Sequence, residues 1–400
     1  MDEVALRYLL LGLRLGRHVP GFVESYFGPA ELAEAVEGEP LTPLAELHDE
    51  AMQLAGIASE LPADTPSLRR RRIWLAAQVA AIAAIARWTR GEEIGYVDLV
   101  EELYDVEVAL EPDATFDTAR RMLEGALPGT GSLSERLATH DAEARIAEES
   151  VIPTASRLAE RLRERTRAQL SLPANESVQF EEIRRVPWEA SIRHLGAGRT
   201  LVRINLDRPL TLASLGELVA HETYPGRHTE AAVKDRLVSK GQAELSLIAA
   251  PTPQALVSEG TAGFGREVLM GDRELLLELE RLARSLDRRP DLEAEVIVLR
   301  ARRLMVPALG NAAVALHRDD EPIEQVRAYL AEVALVAEER LDDATSRLAD
   351  PILRVEPFAR IEGRRLVSEW LEEHGQTPGF GRLLAEQLTP GGLRSELRPA

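Results

Sequence analysis

Leu218-Val219-Ala220-His221-Glu222-Thr223-Tyr224-Pro225-Gly226-Arg227-His228 places a His-Glu pair at the end of an apolar helical run. Helical periodicity begins at Thr211 or Ser214, and Ser214 followed three residues later by Glu217 is a capping-box signature. A second histidine, His228, comes seven residues after His221. Seven residues turn an ideal helix by about 700°, back to the same face, but lift the second Cα by roughly 10.5 Å, which is far for two ligands of one ion. Pro225 offers a remedy. It has no N–H, and its ring clashes with the carbonyl four residues back, that of His221. Gly226 can take a positive φ without steric cost. Residues 223–226 are therefore expected to bulge and to bring His228 back toward His221.

A third ligand is expected on a later helix. Glu259, in Ser258-Glu259-Gly260-Thr261-Ala262-Gly263, fits, and the small residues at 260, 262 and 263 would let its helix pack closely against the first. His221, His228 and Glu259 would then hold one Zn2+ ion and leave its fourth position to water, whose proton Glu222 would take as general base during attack on a carbonyl. The competing reading is a kinked helix with no metal, since a His-Glu dipeptide among eight histidines also arises by chance. Glu259 alone reads equally as a capping or exposed carboxylate. Tyr224 adjoins the motif and is a candidate catalytic residue, with a core aromatic as the alternative.

Outward from this segment the patterning is mostly helical. Apolar residues Leu6, Leu9, Leu10 and Leu13 predict a first helix over residues 1–17, ended by Pro20-Gly21. Similar patterns cover 43–57, 67–90, 116–124 and 132–169, and later 254–270, 273–288, 292–317, 322–348 and 361–374. Between them, residues 177–206 alternate apolar and polar side chains and predict a small antiparallel sheet. The strand 201–206 is a candidate to line a cleft and pair with an extended peptide, provided it lies at an edge. The expected organisation is an N-terminal helical lobe, 1–170, and a metal-binding lobe, 171–400, joined as one continuous unit. There is no repeat of fixed period.

Composition narrows the function. The 400 residues are 45% hydrophobic and 29% charged, as in a folded protein. With 48 Lys+Arg against 67 Asp+Glu, the net charge of -19 repels phosphate backbones and anionic lipid, so neither nucleic acid nor a membrane is an expected partner. There are no cysteines, so any metal must be held by His and carboxylate. Met1-Asp2-Glu3 lacks a basic region, Arg14 soon interrupts the apolar run, and no stretch reaches the ~20 apolar residues that span a bilayer; a cytoplasmic location is expected.

Several segments together resemble the domain-of-unknown-function family 885, metallopeptidases of the gluzincin type related to helical carboxypeptidases. They are Val23-Glu24-Ser25-Tyr26-Phe27-Gly28-Pro29, Leu195-Gly196-Ala197-Gly198-Arg199, Ile204-Asn205, the stretch from His221 to Glu230, and Pro253 with Ser258-Glu259-Gly260. The resemblance spans most of the chain. It implies a mainly α fold, a large helical metallopeptidase-like structure with a small antiparallel β-sheet beside the metal-binding helix. It also implies a zinc-type metal and hydrolysis of peptide bonds in a peptide substrate.

The chain departs from that family's pattern at three places. The family reads His-His where this chain has Arg227-His228, which leaves His228 as the second ligand and sets a cation beside the site. Tyrosines that could steady an oxyanion are replaced by Glu356 and Arg360. Arg360 can still donate to an oxyanion or a substrate carboxylate and is a candidate catalytic residue, a solvated surface arginine being the alternative. Gly263 stands where an acidic residue is usual. Two functions are therefore expected in competition: a zinc-dependent peptidase, or a catalytically impaired helical peptide-binding or scaffold protein that retains the peptidase fold.

Overall fold

A computed structural model describes residues 1–397. The first half comprises α1 (Glu3–Gly16), β1 (Val23–Tyr26), α2 (Ala30–Gly38), α3 (Leu44–Ser59), α4 (Pro66–Thr89), α5 (Tyr96–Tyr104), α6 (Asp113–Ala126), α7 (Leu133–Ala144) and α8 (Glu148–Gln169). Three strands follow, β2 (Ser177–Ile183), β3 (Ala190–Gly196) and β4 (Arg199–Asn205). Next come α9 (Leu212–Glu222), α10 (Arg227–Val238), β5 (Leu247–Ala249) and α11 (Pro253–Leu269). The remainder is α12 (Asp272–Ser285), α13 (Leu292–Met305), α14 (Pro307–His317), α15 (Ile323–Glu332), α16 (Glu338–Ala349), α17 (Glu356–His374), α18 (Gln376–Ala385) and α19 (Pro390–Glu396). The fold is mainly α, 66% helix against 7% strand.

Local chemistry sets many of the boundaries. Asp2 caps α1 by accepting from the Ala5 N–H at 2.8 Å, and Thr65 caps α4 with Pro66 in the first turn. Thr211 caps α9 and Ser214 completes the reciprocal box, so the signature sits three residues earlier than Ser214–Glu217 suggested. Glu217 instead pairs with Arg266 at 2.7 Å. The expected helix 132–169 is two helices, broken at 145–147. That at 292–317 is divided before Pro307, where the missing N–H makes a new first turn cheaper than continuation.

The sheet over 177–206 departs in part from expectation. Its order is β2-β4-β3, with β3 antiparallel to β4 but β2 parallel to it. Strand β4 is central and cannot take on a peptide; β3 lies at the edge. A separate two-stranded antiparallel sheet joins β1 to β5.

Residue 170 does not separate the apolar interior. One core gathers α1, α3, α4 and α5 with α11, α14, α17 and α18, around Trp74, Phe358, Trp370 and Phe380. Another joins α8 to β4, α9 and α12, around Val202, Leu215, Val219 and Leu279. Helix α11 runs between them and brings Glu259 to the end of α9. Its closest neighbour is α17, not α9: a Cβ on Gly260 would overlap the carbonyl of Gly363, and one on Gly363 would overlap that of Leu256. Gly260 of α11 thus serves a helix crossing with a different partner from the one expected.

Candidate functional site

Helix α9 ends at Glu222 and α10 begins at Arg227, so the chain breaks at 223–226 as Pro225 requires. The Gly226 N–H reaches the Ala220 carbonyl at 3.2 Å, and the Thr229 N–H reaches that of Thr223 at 3.2 Å. Gly226 has φ -75°, not a positive value. Glycine is needed for a different reason: a Cβ there would overlap the His221 carbonyl oxygen. The reversal is tight enough to redirect the chain, and it redirects His228 away from His221.

His221 and Glu259 do come together. His221 Nε2 is 3.4 Å from Glu259 Oε2, and 4.0 Å from Glu222 Oε1. Glu259 is also approached by two guanidinium groups, Arg227 Nη1 at 3.3 Å from Oε1 and Arg360 Nε at 3.4 Å from Oε2. Arg227 turns its other amine to Glu24, on β1. Burial raises the Glu259 carboxyl, but His221, then Arg227 and Arg360, hold it well below its ordinary value. Burial would push the His221 imidazole down, but the Glu259 carboxylate outweighs it and raises the pKa. Burial raises the Glu24 carboxyl against the pull of Arg227. Glu222 Oε2 has no hydrogen-bond partner.

His228 lies elsewhere. Fully buried, it places Nδ1 2.7 Å from Thr200 Oγ1 and Nε2 3.2 Å from Glu176 Oε2. Glu176 also binds Arg163 and Arg167 at 2.7 Å each, and its pKa falls to about 2: burial raises it, but His228, Tyr224 and Arg163 prevail. Burial lowers the His228 imidazole, which is therefore neutral and donates through Nε2 to the carboxylate. Its Nδ1 then accepts from the Thr200 hydroxyl, whose oxygen also lies 3.0 Å from His194 Nδ1. His194 in turn reaches Asp235 at 3.1 Å. Tyr224 belongs to this interior network, donating its hydroxyl to Glu176 with its ring edge-on to His228.

Two site expectations are thereby corrected. His228 does not join His221 and Glu259, because the turn at 223–226 points it into the layer between α10 and the sheet, where Glu176 and Thr200 satisfy both ring nitrogens. Tyr224 is a buried structural aromatic whose hydroxyl is committed to Glu176. Among the described residues no group of three or more His, Cys, Asp or Glu is arranged to hold a metal ion. A zinc ion at Glu259 would lack its second imidazole and would meet the fixed charges of Arg227 and Arg360. The residues present do not fit the expected zinc ion. Arg360, with its side chain 57% exposed, stands at the mouth of the cluster and links Glu259 to Glu356.

Glu24 is the member of this cluster that motif reasoning did not single out, although it lies in the stretch Val23 to Pro29. Glu176, Thr200 and Asp235 carried no signal, because their partners are distant in sequence. Behind the Arg227–Glu24 pair, a cavity of about 40 Å³ is bordered by Trp74, Lys234, Gln254 and Ser258. It has room for water.

The site and fold define a class: a mainly helical chain in which a His-Glu helix end, a glutamate from a crossing helix and two arginines form a charged cluster beside an edge strand. Solved structures share the fold. The chain aligns with a candidate lipoprotein from Colwellia psychrerythraea at a TM-score of 0.55 and 15% identity, over 88% of this chain and 68% of that one. It aligns with a candidate lipoprotein of unknown function from Shewanella oneidensis at a TM-score of 0.52 and 13% identity, over 91% and 75%. Comparison with protein-family models gives no match, and neither does comparison with curated proteins. Among the described residues no helix is long and apolar enough to cross a membrane.

Proposed function

We propose that this chain is a peptide-binding protein on a hydrolase-like helical scaffold, without zinc-dependent turnover. The observation that carries this reading is the Arg227–Glu259 pair. A guanidinium attached to the chain contacts Glu24 and Glu259, setting a fixed positive charge on the carboxylate that the hydrolytic reading gives to a metal ion, and the second imidazole is spent in the interior.

Strand β3 supplies the binding element. The His194 N–H points away from β4 to Ser25 Oγ at 3.0 Å. By the two-residue alternation of a strand, the N–H groups of Ile192 and Ala190 point the same way. Glu189, just before β3, contributes to the field at Arg360, so the outer edge starts near the mouth of the cluster. An extended peptide paired there would gain main-chain hydrogen bonds, with charged side chains of the cluster selecting its polar ends.

The test joins metal content to turnover. Protein incubated with zinc and dialysed is expected to retain no stoichiometric metal, and mixed unblocked peptides are expected to be bound but left intact. Retained zinc together with metal-dependent cleavage that Glu222→Gln abolishes would overturn the proposal in favour of a zinc peptidase with Glu222 as base.

A further inference from the structure

Glu222 is the unresolved charge of the cluster. It is 8% exposed, its Oε2 has no partner, and its Oε1 lies 4.0 Å from His221 Nε2, beyond hydrogen-bond range. A buried carboxylate without donors is costly unless a donor arrives from outside. The neighbouring cations are committed elsewhere. Arg227 serves Glu24 and Glu259, and Arg360 serves Glu259 and Glu356. Three carboxylates, Glu24, Glu222 and Glu259, thus share two guanidinium groups and the His221 imidazole, and Glu222 is the one whose nearest cation, His221, stands as far off as 4.0 Å.

Resting on the reading of the chain as a peptide binder, we propose that Glu222 receives the primary ammonium of a free peptide N-terminus. An ammonium brings three donors and one positive charge on a compact head, which suits a carboxylate oxygen that lacks a donor. The side chains of His221 and Glu259 are 20% and 12% exposed, whereas Arg360 beside them is 57% exposed. The proposed ligand would enter on the side of the exposed Arg360. Pairing with β3 would hold the residues that follow.

The experiment offers the unaltered protein mixtures of lysine-free pentapeptides, with free or acetylated N-termini, and reads the retained fraction by ultrafiltration and mass spectrometry. Free-amine members are expected to be retained at least about ten-fold over acetylated ones, and Glu222→Gln, an isosteric change, is expected to erase the difference. Equal retention of both overturns the assignment of Glu222 and leaves the peptide-binding reading intact. Retention of neither overturns both. Acetylated peptides carrying one lysine, retained as well as the free-amine set, would show an ammonium site whose ligand is not the N-terminus. Since the free and acetylated arms are compared on the unaltered chain, misfolding of the variant does not protect the proposal.

Discussion

Arg227 Nη1 lies 3.3 Å from Glu259 Oε1, and the opposite oxygen of that carboxylate faces His221 Nε2 at 3.4 Å. One glutamate on α11 therefore ties together the two helices that Pro225 separates. Arg227→Ala would leave Glu24 and Glu259 short of a counter-charge in a part-buried cluster. Loss of one partner from such a pair costs about 3–5 kcal/mol when fully buried, and with the Arg227 side chain 19% exposed the expected loss is toward the lower value. Denaturant unfolding measures it. The same variant should gain affinity for divalent cations, read by the thermal shift on adding zinc. A variant as stable as the parent would show that the Arg227 contacts contribute little.

The His221–Glu259 pair gives stability a pH profile. His221 is raised above its ordinary 6.5, so its contribution is fully present below that value and is lost as pH rises through the folded-state pKa. Glu259 is depressed below its ordinary 4.5, so its contribution is present above 4.5 and lost as pH falls through the folded-state pKa. Above pH 6.5 the parent should therefore lose more melting temperature than His221→Gln. Parallel curves in that range would rule the ion pair out.

Thr200 joins two imidazoles through one hydroxyl. Thr200→Val keeps the shape but leaves His228 Nδ1 and His194 Nδ1 without the hydroxyl that lies between them, with an expected cost of about 1–3 kcal/mol. Equilibrium unfolding reads the loss. If stability is unchanged, the network is not formed in solution.

Two glycines on α11 should respond with opposite sign. At Gly263 an added Cβ meets nothing within 4 Å, so Gly263→Ala should stabilise by roughly 0.5–1 kcal/mol through helix propensity. At Gly260 the same methyl would overlap the Gly363 carbonyl, and overpacking of about 1–3 kcal/mol or more should outweigh that gain. Melting temperatures of the two variants decide; equal effects would mean that α11 and α17 do not cross there.

How far the sequence could be read depended on the range of each interaction. Helical periodicity and the break at Pro225 followed from residues close in sequence. The short helices α2 and α5 escaped notice, because about nine residues carry too little periodicity to stand out. The parallel pairing of β2 with β4 was equally hidden, since alternation shows that a strand exists but not which neighbour it takes.

By itself the amino-acid order determined a mainly helical chain, a forced break after Glu222 and a pool of His and carboxylate near it, because backbone sterics and apolar spacing act over a few residues. Only the tertiary structure decided which of those groups meet. The direction taken after 223–226 sends His228 inward to Glu176 and Thr200, contacts 52 and 28 residues away, and leaves Arg227 at Glu259. Charge compensation between distant segments depends on how helices cross, and no local pattern encodes a crossing.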